Sequence, residues 1–288
     1  MLLSIIVINY KTADLTKKCV ESIYSLLGKK IGDDVEVVIV DNDSGDMEIK
    51  KLQSIRDKLG FKLLISKKNL GFAAGCNLGA EMSEGQLLLL LNSDTKVEGG
   101  IFEMAHALKK TDRFAILGGK ILGEDKSVEK SSGKFYNLWN LFLMLSLGER
   151  FGIVRFSPKD FKKVDWVSGG FMMIKKDVFD KLEGFDESYF MYLEDMDLCL
   201  RAKKNGYLTY YYPNASVIHK KHASASRQFA IFNIYKSLII FYKKNENKLR
   251  YNIAIALLYS KVLVALFIGK IFGRRAIVQT YEEALRLF

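Results

Sequence analysis

Acidic residues occupy positions in this 288-residue sequence where a β-sheet would present them to a ligand. Asp94, in Asn92-Ser93-Asp94, follows the five leucines 87–91 and is expected at the end of a central buried strand. A carboxylate in this position can hold a divalent cation, which would neutralise the charge that develops on a phosphate leaving group. The alternative is a turn or a helix cap, which is the more frequent use of Asn-Ser-Asp after a strand.

A second acidic site is expected at Glu194-Asp195. These residues follow the aromatic and apolar run 189–193, which would remove at least one carboxylate from water. Such a carboxylate can accept the proton of an acceptor hydroxyl as a general base. The alternative is that Asp195 and Asp197 lie in the first turn of the next helix and interact favourably with its dipole. For Asp197 the structural interpretation is preferred, because Arg201 stands four residues later and can pair with it.

Three further positions carry groups suited to ligand binding. Asp41, within Asp-Asn-Asp-Ser, either hydrogen-bonds a base or ribose or forms a strand-to-loop turn. Residues 69–77 form a small-residue helix entry that would let a diphosphate approach backbone amides, although no dinucleotide or Walker fingerprint is present. His219 lies near His222 and Ser224 and is a candidate metal ligand, whereas a lone histidine is usually structural.

Alternating strand and helix patterns must position these side chains. Apolar runs and helical periodicity predict strands at 2–9, 35–40, 61–65, 86–91, 166–175 and 208–212, and helices at 15–27, 49–59, 71–82, 138–147, 177–182 and 195–204. Asp14 is placed to cap the first helix. The alternation predicts an α/β fold with a mostly parallel sheet covered on both faces. Ligands bind such sheets at the carboxyl ends of the strands, where Asn9, Asp41 and Asp94 are expected.

Composition and charge limit the class of protein. A chain with 49% hydrophobic residues and two prolines can bury a large core. Its three cysteines lack C-x-x-C spacing and are expected to be reduced, buried thiols. The net charge of +11 comes from the end of the chain, since residues 220–288 contain 13 Lys/Arg and 3 Asp/Glu, against 31 and 30 in residues 1–219.

The basic and apolar tail, residues 220–288, suits an anionic membrane surface better than nucleic acid, for which no binding motif appears. Within it, residues 253–269 form an apolar run that Ser260 and Lys261 interrupt, and this run is shorter than the roughly 20 residues of a membrane span. The amino terminus lacks the features of a signal peptide. We therefore expect a cytoplasmic protein, bound peripherally at the inner face of the membrane. The alternative is that the run packs on the rest of the protein.

The order of these segments resembles glycosyltransferase family 2, in its bacterial rhamnosyltransferase-like branch. The resemblance covers about residues 2–225 and depends on the joint order and spacing of segments 7–10, 40–42, 69–77, 92–94, 165–170, 184–187 and 192–198 with Arg201. No single segment is specific to this family, whereas the whole series of segments in this order and spacing is specific to it.

This resemblance implies a GT-A fold, with a catalytic domain over residues 1–225 and a helical extension over residues 226–288. It implies an inverting reaction in which Asp195, beside Glu194, is the catalytic base, and in which Asp94 and His219 hold Mg²⁺ or Mn²⁺. Trp166, Gly169 and Gly170 would face the donor or acceptor sugar. The residues expected to contact the nucleotide sugar are Asn9, Asp41, Asn69, Asn77, Asn92 and Asp94. Asn92 stands where the family's D-x-D pattern has its first acid, so Asp94 is the one carboxylate of that triplet.

The expected function is transfer of a sugar from a nucleotide diphosphate to a glycan or polyprenyl-linked acceptor in cell-surface polysaccharide synthesis. The expected donor is dTDP-rhamnose. One alternative is a uridine donor carrying a hexose or galactofuranose. Another is a catalytically silent partner in a polysaccharide assembly complex, although Asp94, Glu194 and Asp195 argue against silence.

Overall fold

The computed structural model describes residues 1–110, 112–148, 151–220 and 226–288. Its strands are β1 (Leu3–Asn9), β2 (Val35–Asn42), β3 (Lys62–Ser66), β4 (Leu87–Asn92), β5 (Thr95–Gly99), β6 (Phe114–Gly123), β7 (Ser132–Gly133), β8 (Arg155–Phe156), β9 (Lys162–Val164), β10 (Trp166–Val167), β11 (Phe171–Lys175) and β12 (Leu208–His219). Its helices are α1 (Ala13–Leu27), α2 (Asp46–Leu59), α3 (Gly71–Glu81), α4 (Ile101–Lys109), α5 (Leu138–Leu147), α6 (Lys176–Lys181), α7 (Glu194–Lys204), α8 (Arg227–Asn245), α9 (Lys248–Ile271) and α10 (Arg275–Leu285).

Four parallel strands form the first half of the large sheet, in the order β3-β2-β1-β4. Alternate residues of these strands point into two separate hydrophobic clusters, with Ile6 and Leu88 in one and Ile5 and Leu89 in the other. Burial of both faces explains why the strands are continuous apolar runs. The predicted sheet with helices on both faces is confirmed for this half.

The second half of the large sheet is mixed. β11 enters antiparallel between β4 and β6, and β12 pairs parallel with β6 and antiparallel with β5. Where β4 meets β11, the backbone N–H of Asn92 donates to the carbonyl of Gly170 at 3.1 Å. This pairing places the 168–170 turn beside the end of β4, where Asp94 stands.

The start of the first helix differs from the sequence prediction. α1 begins at Ala13 after Thr12, and the side chain of Thr12 accepts no capping hydrogen bond. The backbone N–H of Ala13 instead donates to a carboxylate oxygen of Glu48 at 2.7 Å. The prediction that Asp14 caps this helix is therefore wrong, and Asp14 lies within its first turn.

The strand predicted at residues 208–212 is longer than expected. β12 continues through Pro213 to His219, and its register with β6 shifts between Tyr212 and Ser216. A bulge of this kind accommodates the missing N–H of proline, so the strand continues past Pro213 to His219. Residues 95–122, for which the sequence predicts no element, form β5, α4 and nearly all of β6.

The carboxyl-terminal helices share a hydrophobic cluster with the sheet, to which Tyr235 and Leu238 of α8 and Leu258 of α9 contribute. α9 packs on α5, α8 and α10 through a buried stripe of Ala254, Leu258, Val262 and Leu266. Its other face exposes apolar side chains, of which Phe267 is 66% exposed. The domain boundary between residues 225 and 226 stays a prediction.

α9 is longer than the 253–269 run because it extends to Lys248 and Ile271. It has 24 residues, and its most apolar 18-residue window has a mean hydropathy of 2.0, with 28% of that window buried. Length and composition alone would allow α9 to cross a membrane, which corrects the expectation that the run is too short. A helix packed on a protein core can meet the same two criteria, as the buried stripe of α9 illustrates.

Candidate functional site

A cleft of about 770 Å³ opens at the end of β4, between the 168–170 turn and the start of α7. Its walls bring together most of the predicted site residues, which are distant in sequence. Those that line it are Asn92, Asp94, Trp166, Gly169, Gly170, Glu194, Asp195 and His219. The sheet edge and the amino terminus of α7 thus supply the polar groups of one cavity.

Asp94 is one of the acidic residues that line the cleft. Its side chain is buried, with the residue 5% exposed, and its Oδ1 has no hydrogen-bond partner among the described residues. This oxygen lies 3.4 Å from Nε2 of His219. A buried carboxylate oxygen without a donor costs free energy unless a cation or a proton compensates it. The carboxylate of Asp94 therefore has the environment of a metal ligand.

His219 is held between two carboxylates. Its Nδ1 lies 3.1 Å from a carboxylate oxygen of Glu129, on the ring edge opposite Asp94. The carboxylate of Asp94, assisted by that of Glu129, raises the pKa of His219 above the ordinary value for histidine. Contact between Nδ1 and a carboxylate orients an imidazole for coordination through Nε2. Within the described parts of the chain, no group of three or more His, Cys, Asp or Glu side chains is arranged to hold a metal ion, and Asp94 and His219 are the two predicted ligands that lie together.

Asp195 also lines the cleft and is only partly buried. Its Oδ2 accepts the backbone N–H of Gly169 at 3.0 Å, and its Oδ1 accepts that of Met196 at 2.7 Å. Burial raises the pKa of Asp195, whereas these two hydrogen bonds oppose that shift by favouring the anion. The carboxylate is thereby fixed at a wall of the cleft in a defined orientation.

Glu194 differs from its neighbour in being almost fully buried, with 4% of the residue exposed and Oε2 without a partner in the described structure. Burial, followed by the charge of Asp195, raises its pKa well above the ordinary value. Of the two acids, Glu194 is therefore the one that more readily retains a proton. Tyr192 and Leu193, immediately before the pair, have φ values of 68° and 65°. Such left-handed conformations cost about 1–3 kcal/mol each and are concentrated at functional sites.

The predicted sugar-facing residues also line the cleft. Trp166 is 4% exposed, and its Nε1 donates to the carbonyl of Lys134 at 3.1 Å. A Cβ at Gly170 would lie 2.9 Å from Nδ2 of Asn92, so a larger residue at 170 would have to displace the Asn92 side chain. Gly169 contributes its backbone N–H to Asp195.

Asn9 and Asp41 lie at the same sheet edge but do not line the cleft. Both are fully buried, and Nδ2 of Asn9 donates to Asp41 at 2.7 Å. The other oxygen of Asp41 accepts the backbone N–H of Ser44 at 3.1 Å. In this arrangement Asp41 forms the strand-to-loop turn that the sequence offered as the alternative. A role for either residue at the nucleotide stays a prediction.

Asn69 and Asn77 also form contacts within the protein. Oδ1 of Asn69 accepts the N–H of Gly71 at 3.0 Å, and the N–H of Phe72 donates to the carbonyl of Phe190 at 2.8 Å. A diphosphate would have to displace these groups to reach the amides at the entry of α3. Asn77 exchanges two hydrogen bonds of 2.8 Å with the backbone of Phe185, which fixes the loop before α7.

The cleft also contains basic and hydroxyl groups that the sequence does not single out. Arg155 lies 5.5 Å from the ring centroid of Trp166 and donates to the carbonyl of Lys130 at 3.0 Å. Arg227, at the start of α8, stands on another wall. Their signal in the sequence is weak, because both come from segments without a recognisable motif. The predicted ion pair within α7 is confirmed, with 2.7 Å between Nε of Arg201 and Oδ2 of Asp197.

Comparison with known proteins agrees with this architecture. A family model described as Glycosyl transferase family 2 matches residues 4–183, and one described as the N-terminal domain of galactosyltransferase matches residues 155–223. An N-acetylglucosaminyl-diphospho-decaprenol L-rhamnosyltransferase of Mycobacterium tuberculosis is 29% identical over 234 residues, 72% of this chain and 74% of that protein. A dTDP-rhamnosyl transferase of Shigella flexneri is 24% identical over 186 residues, 64% of this chain and 59% of that protein.

Among solved structures, a mannosyltransferase from Pyrobaculum calidifontis in complex with GDP-Man and Mn²⁺ superposes with a TM-score of 0.60 at 15% identity. The match covers 99% of this chain and 85% of that one. It confirms the expected GT-A fold. Because the first family model covers more than half of the chain, this protein belongs to glycosyltransferase family 2 and is a glycosyltransferase, and both of these relatives are rhamnosyltransferases by name.

Proposed function

We propose that the enzyme transfers rhamnose from dTDP-rhamnose to a polyprenyl-linked glycan, with inversion at the anomeric carbon, in the synthesis of a cell-surface polysaccharide. The observation that carries this proposal is the cleft itself, which is lined by the ordered carboxylate of Asp195 and by the buried carboxylate of Asp94, whose Oδ1 accepts no hydrogen bond from the described residues. The names of the two rhamnosyltransferase relatives support the donor sugar, and the name of the mycobacterial relative supports the acceptor class.

Asp195 acts in this proposal as the general base. Its orientation by the N–H groups of Gly169 and Met196 leaves the carboxylate at the cleft wall, where an acceptor hydroxyl can donate its proton to it. Glu194, buried behind it, keeps a proton and so avoids placing two negative charges side by side. The acceptor oxygen then attacks the anomeric carbon as the bond to the diphosphate breaks, and no covalent sugar–protein intermediate is formed.

Asp94 and His219 fit a divalent cation, because the buried Oδ1 of Asp94 lacks a donor and Glu129 orients the imidazole. Mg²⁺ or Mn²⁺ bound there would neutralise the charge of the departing nucleoside diphosphate. Hard cations of this kind take few protein ligands at nucleotide sites and complete their coordination with phosphate oxygens and water.

The pH dependence of turnover follows from the burial of Asp195. A general base must be deprotonated, so kcat/KM should fall as the pH decreases through the raised pKa and reach a plateau above it. Measured at saturating metal, the acidic midpoint should lie above about 3.9, the ordinary value for aspartate. Because the two acids are adjacent, this midpoint belongs to the pair. A midpoint at or below the ordinary value would contradict a buried base.

The donor is tested by calorimetry with dTDP-rhamnose, UDP-hexoses, UDP-galactofuranose and GDP-mannose, each with Mn²⁺ or Mg²⁺. We expect dTDP-rhamnose to bind most tightly, and transfer to N-acetylglucosaminyl-diphospho-undecaprenol to yield a rhamnoside of inverted configuration by NMR. Tighter binding of a UDP-sugar than of dTDP-rhamnose would contradict the proposed donor and identify a uridine donor in its place. Absence of both transfer and donor hydrolysis with all donors would instead favour a catalytically silent partner.

We also propose that the basic tail holds the enzyme peripherally at the cytoplasmic face of the membrane. Exposed apolar side chains of α9 are followed by the exposed cations Lys270, Arg274 and Arg275. Each cation near an anionic leaflet contributes roughly 1 kcal/mol, so replacing all three with Gln should weaken vesicle binding about 10²-fold. The matched control replaces the exposed Lys58, Lys67 and Lys68 with Gln.

Cosedimentation with anionic vesicles measures this effect. High salt should release the wild-type enzyme, because it screens the attraction between surface charges. Failure to bind at low salt would reject the membrane role. Retention through high salt and alkaline carbonate would instead indicate that α9 spans the bilayer.

A further inference from the structure

A second cavity of about 460 Å³ lies among α5, α8, α9 and α10, and we call it the helical groove. Its apolar wall includes Met144, Leu147 and Phe151, and its floor includes Tyr235 and Tyr281. Met144 also lines the catalytic cleft, so the two cavities share a wall. The helical groove is therefore adjacent to the place where an acceptor must bind.

Lys261 lines the helical groove from the middle of α9. With Ser260 it interrupts the apolar run 253–269, and its ammonium group forms no ion pair or hydrogen bond with any residue that the structure describes. A cation on a largely apolar wall is stabilised by an anion or by water. Its position favours an anionic ligand within the helical groove.

Arg227 places a second cation between the two cavities. It lines the catalytic cleft, and its positive charge acts on Tyr281 of the helical groove, opposing the burial that raises the pKa of that tyrosine. The guanidinium of Arg227 also lacks a hydrogen-bond or ion-pair partner in the described part of the chain. Arg227 thus acts on Tyr281 from the catalytic cleft, whereas Lys261 lines the helical groove together with Tyr281.

The far end of the helical groove leads to apolar surface. Leu147 is 40% exposed and Phe151 69% exposed, and the neighbouring helix α5 also exposes Trp139 and Phe142. α5 packs on α9, whose solvent face is apolar. The helical groove is therefore lined by the cation of Lys261 and, on its outer side, by apolar side chains, while Arg227 lines the neighbouring cleft.

We propose that the helical groove binds the diphosphate and the first isoprenoid units of a lipid-linked acceptor, with the diphosphate between Arg227 and Lys261. The isoprenoid chain then passes over Met144, Leu147 and Phe151 towards the exposed face of α5 and α9. A diphosphate matches two cations in charge, and Arg suits it because its N–H groups can contact two oxygens at once. The inference rests on the proposed function for the class of acceptor, and it adds the site that recognises the lipid carrier.

Farnesyl diphosphate, a short and soluble isoprenoid diphosphate, is the binding probe. Calorimetry should detect its binding to the wild-type enzyme in the presence of dTDP, and Lys261→Met should raise its Kd at least tenfold. Lys248→Met, an exposed lysine at the start of the same helix, is the matched control and should leave the Kd unchanged. Farnesol should bind far more weakly because it lacks the diphosphate, and inorganic diphosphate should bind far more weakly because it lacks the isoprenoid chain. Equal affinity of wild type and Lys261→Met, or tight binding of inorganic diphosphate alone, would overturn the proposal.

Kinetics separate the helical groove from the proposed transfer reaction. With a diphospho-undecaprenol acceptor, Lys261→Met should raise the KM at least tenfold with little change in kcat, whereas the KM for an octyl glycoside of the same sugar should not change. An equal rise of KM for both acceptors would overturn the assignment. If the wild-type enzyme transfers sugar to no acceptor, the proposed function fails, while the farnesyl diphosphate measurement still decides whether the groove exists as a lipid-diphosphate site.

Discussion

Asp195→Asn is expected to lower turnover by about two to four orders of magnitude, the range for loss of a general base, while donor and metal affinity stay nearly unchanged. The substitution keeps the size of the side chain but removes the charge that accepts the proton. The carboxylate of Asp195 accepts the N–H groups of Gly169 and Met196, and neither of these contacts involves Asp94 or His219, the predicted metal ligands. Single-turnover rates and calorimetry on the same preparation measure the two effects separately.

Glu194→Gln provides the matched comparison. Because Glu194 is buried and retains a proton readily, replacing its carboxyl with an amide removes little negative charge. We expect a much smaller loss of turnover than for Asp195→Asn. Near-normal turnover of the Asp195 variant would end its assignment as base. A defect of equal size in the Glu194 variant alone would assign that role to Glu194.

Asp94→Asn is expected to abolish the metal dependence of donor binding. A divalent cation stabilises diphosphate charge by several kcal/mol, so donor affinity in the presence of Mn²⁺ should fall by roughly 10²-fold or more. The unpartnered Oδ1 of Asp94 is the atom whose charge the substitution removes. Titration of the donor with and without chelator measures this dependence in both proteins.

Asp125→Asn is a suitable control, since Asp125 is an exposed aspartate of the turn after β6 and should have no effect on donor affinity. His219→Ala should reduce the affinity for Mn²⁺, because it removes the imidazole beside Asp94. If donor binding is indifferent both to chelator and to Asp94→Asn, the metal assignment is wrong.

The sequence predicts the parallel half of the fold well, because strands buried on both faces appear as continuous apolar runs such as 87–91. It does not reveal β6, whose centre contains Gly118-Gly119 and so resembles a turn. The structure explains these glycines by packing, since a Cβ at Gly119 would lie 1.9 Å from the ring of Phe171. That reason depends on a strand distant in sequence and leaves no local pattern.

The candidate site is predictable where local chemistry and position in the sheet coincide. Asp94 and Asp195 follow buried segments and reach the cleft as expected. Asp41 follows a buried strand too, but its carboxylate is occupied by Asn9 and Ser44, a pairing between segments that periodicity cannot predict. Arg227 has no motif and reaches the cleft only because α8 packs across it. Tertiary packing therefore decides which polar strand ends face the cavity.

One hydrogen-bonded path connects the chain segments that carry Asp94 and Asp195. The N–H of Asn92, two residues before Asp94, donates to the carbonyl of Gly170, and the N–H of Gly169 donates to Asp195. The separation between the two acidic groups is therefore set by backbone that is already ordered in the folded protein, and substrate binding need not assemble it. Since this path crosses the central strand pairing of the sheet, heat should inactivate the enzyme at the temperature of global unfolding and not at a lower one.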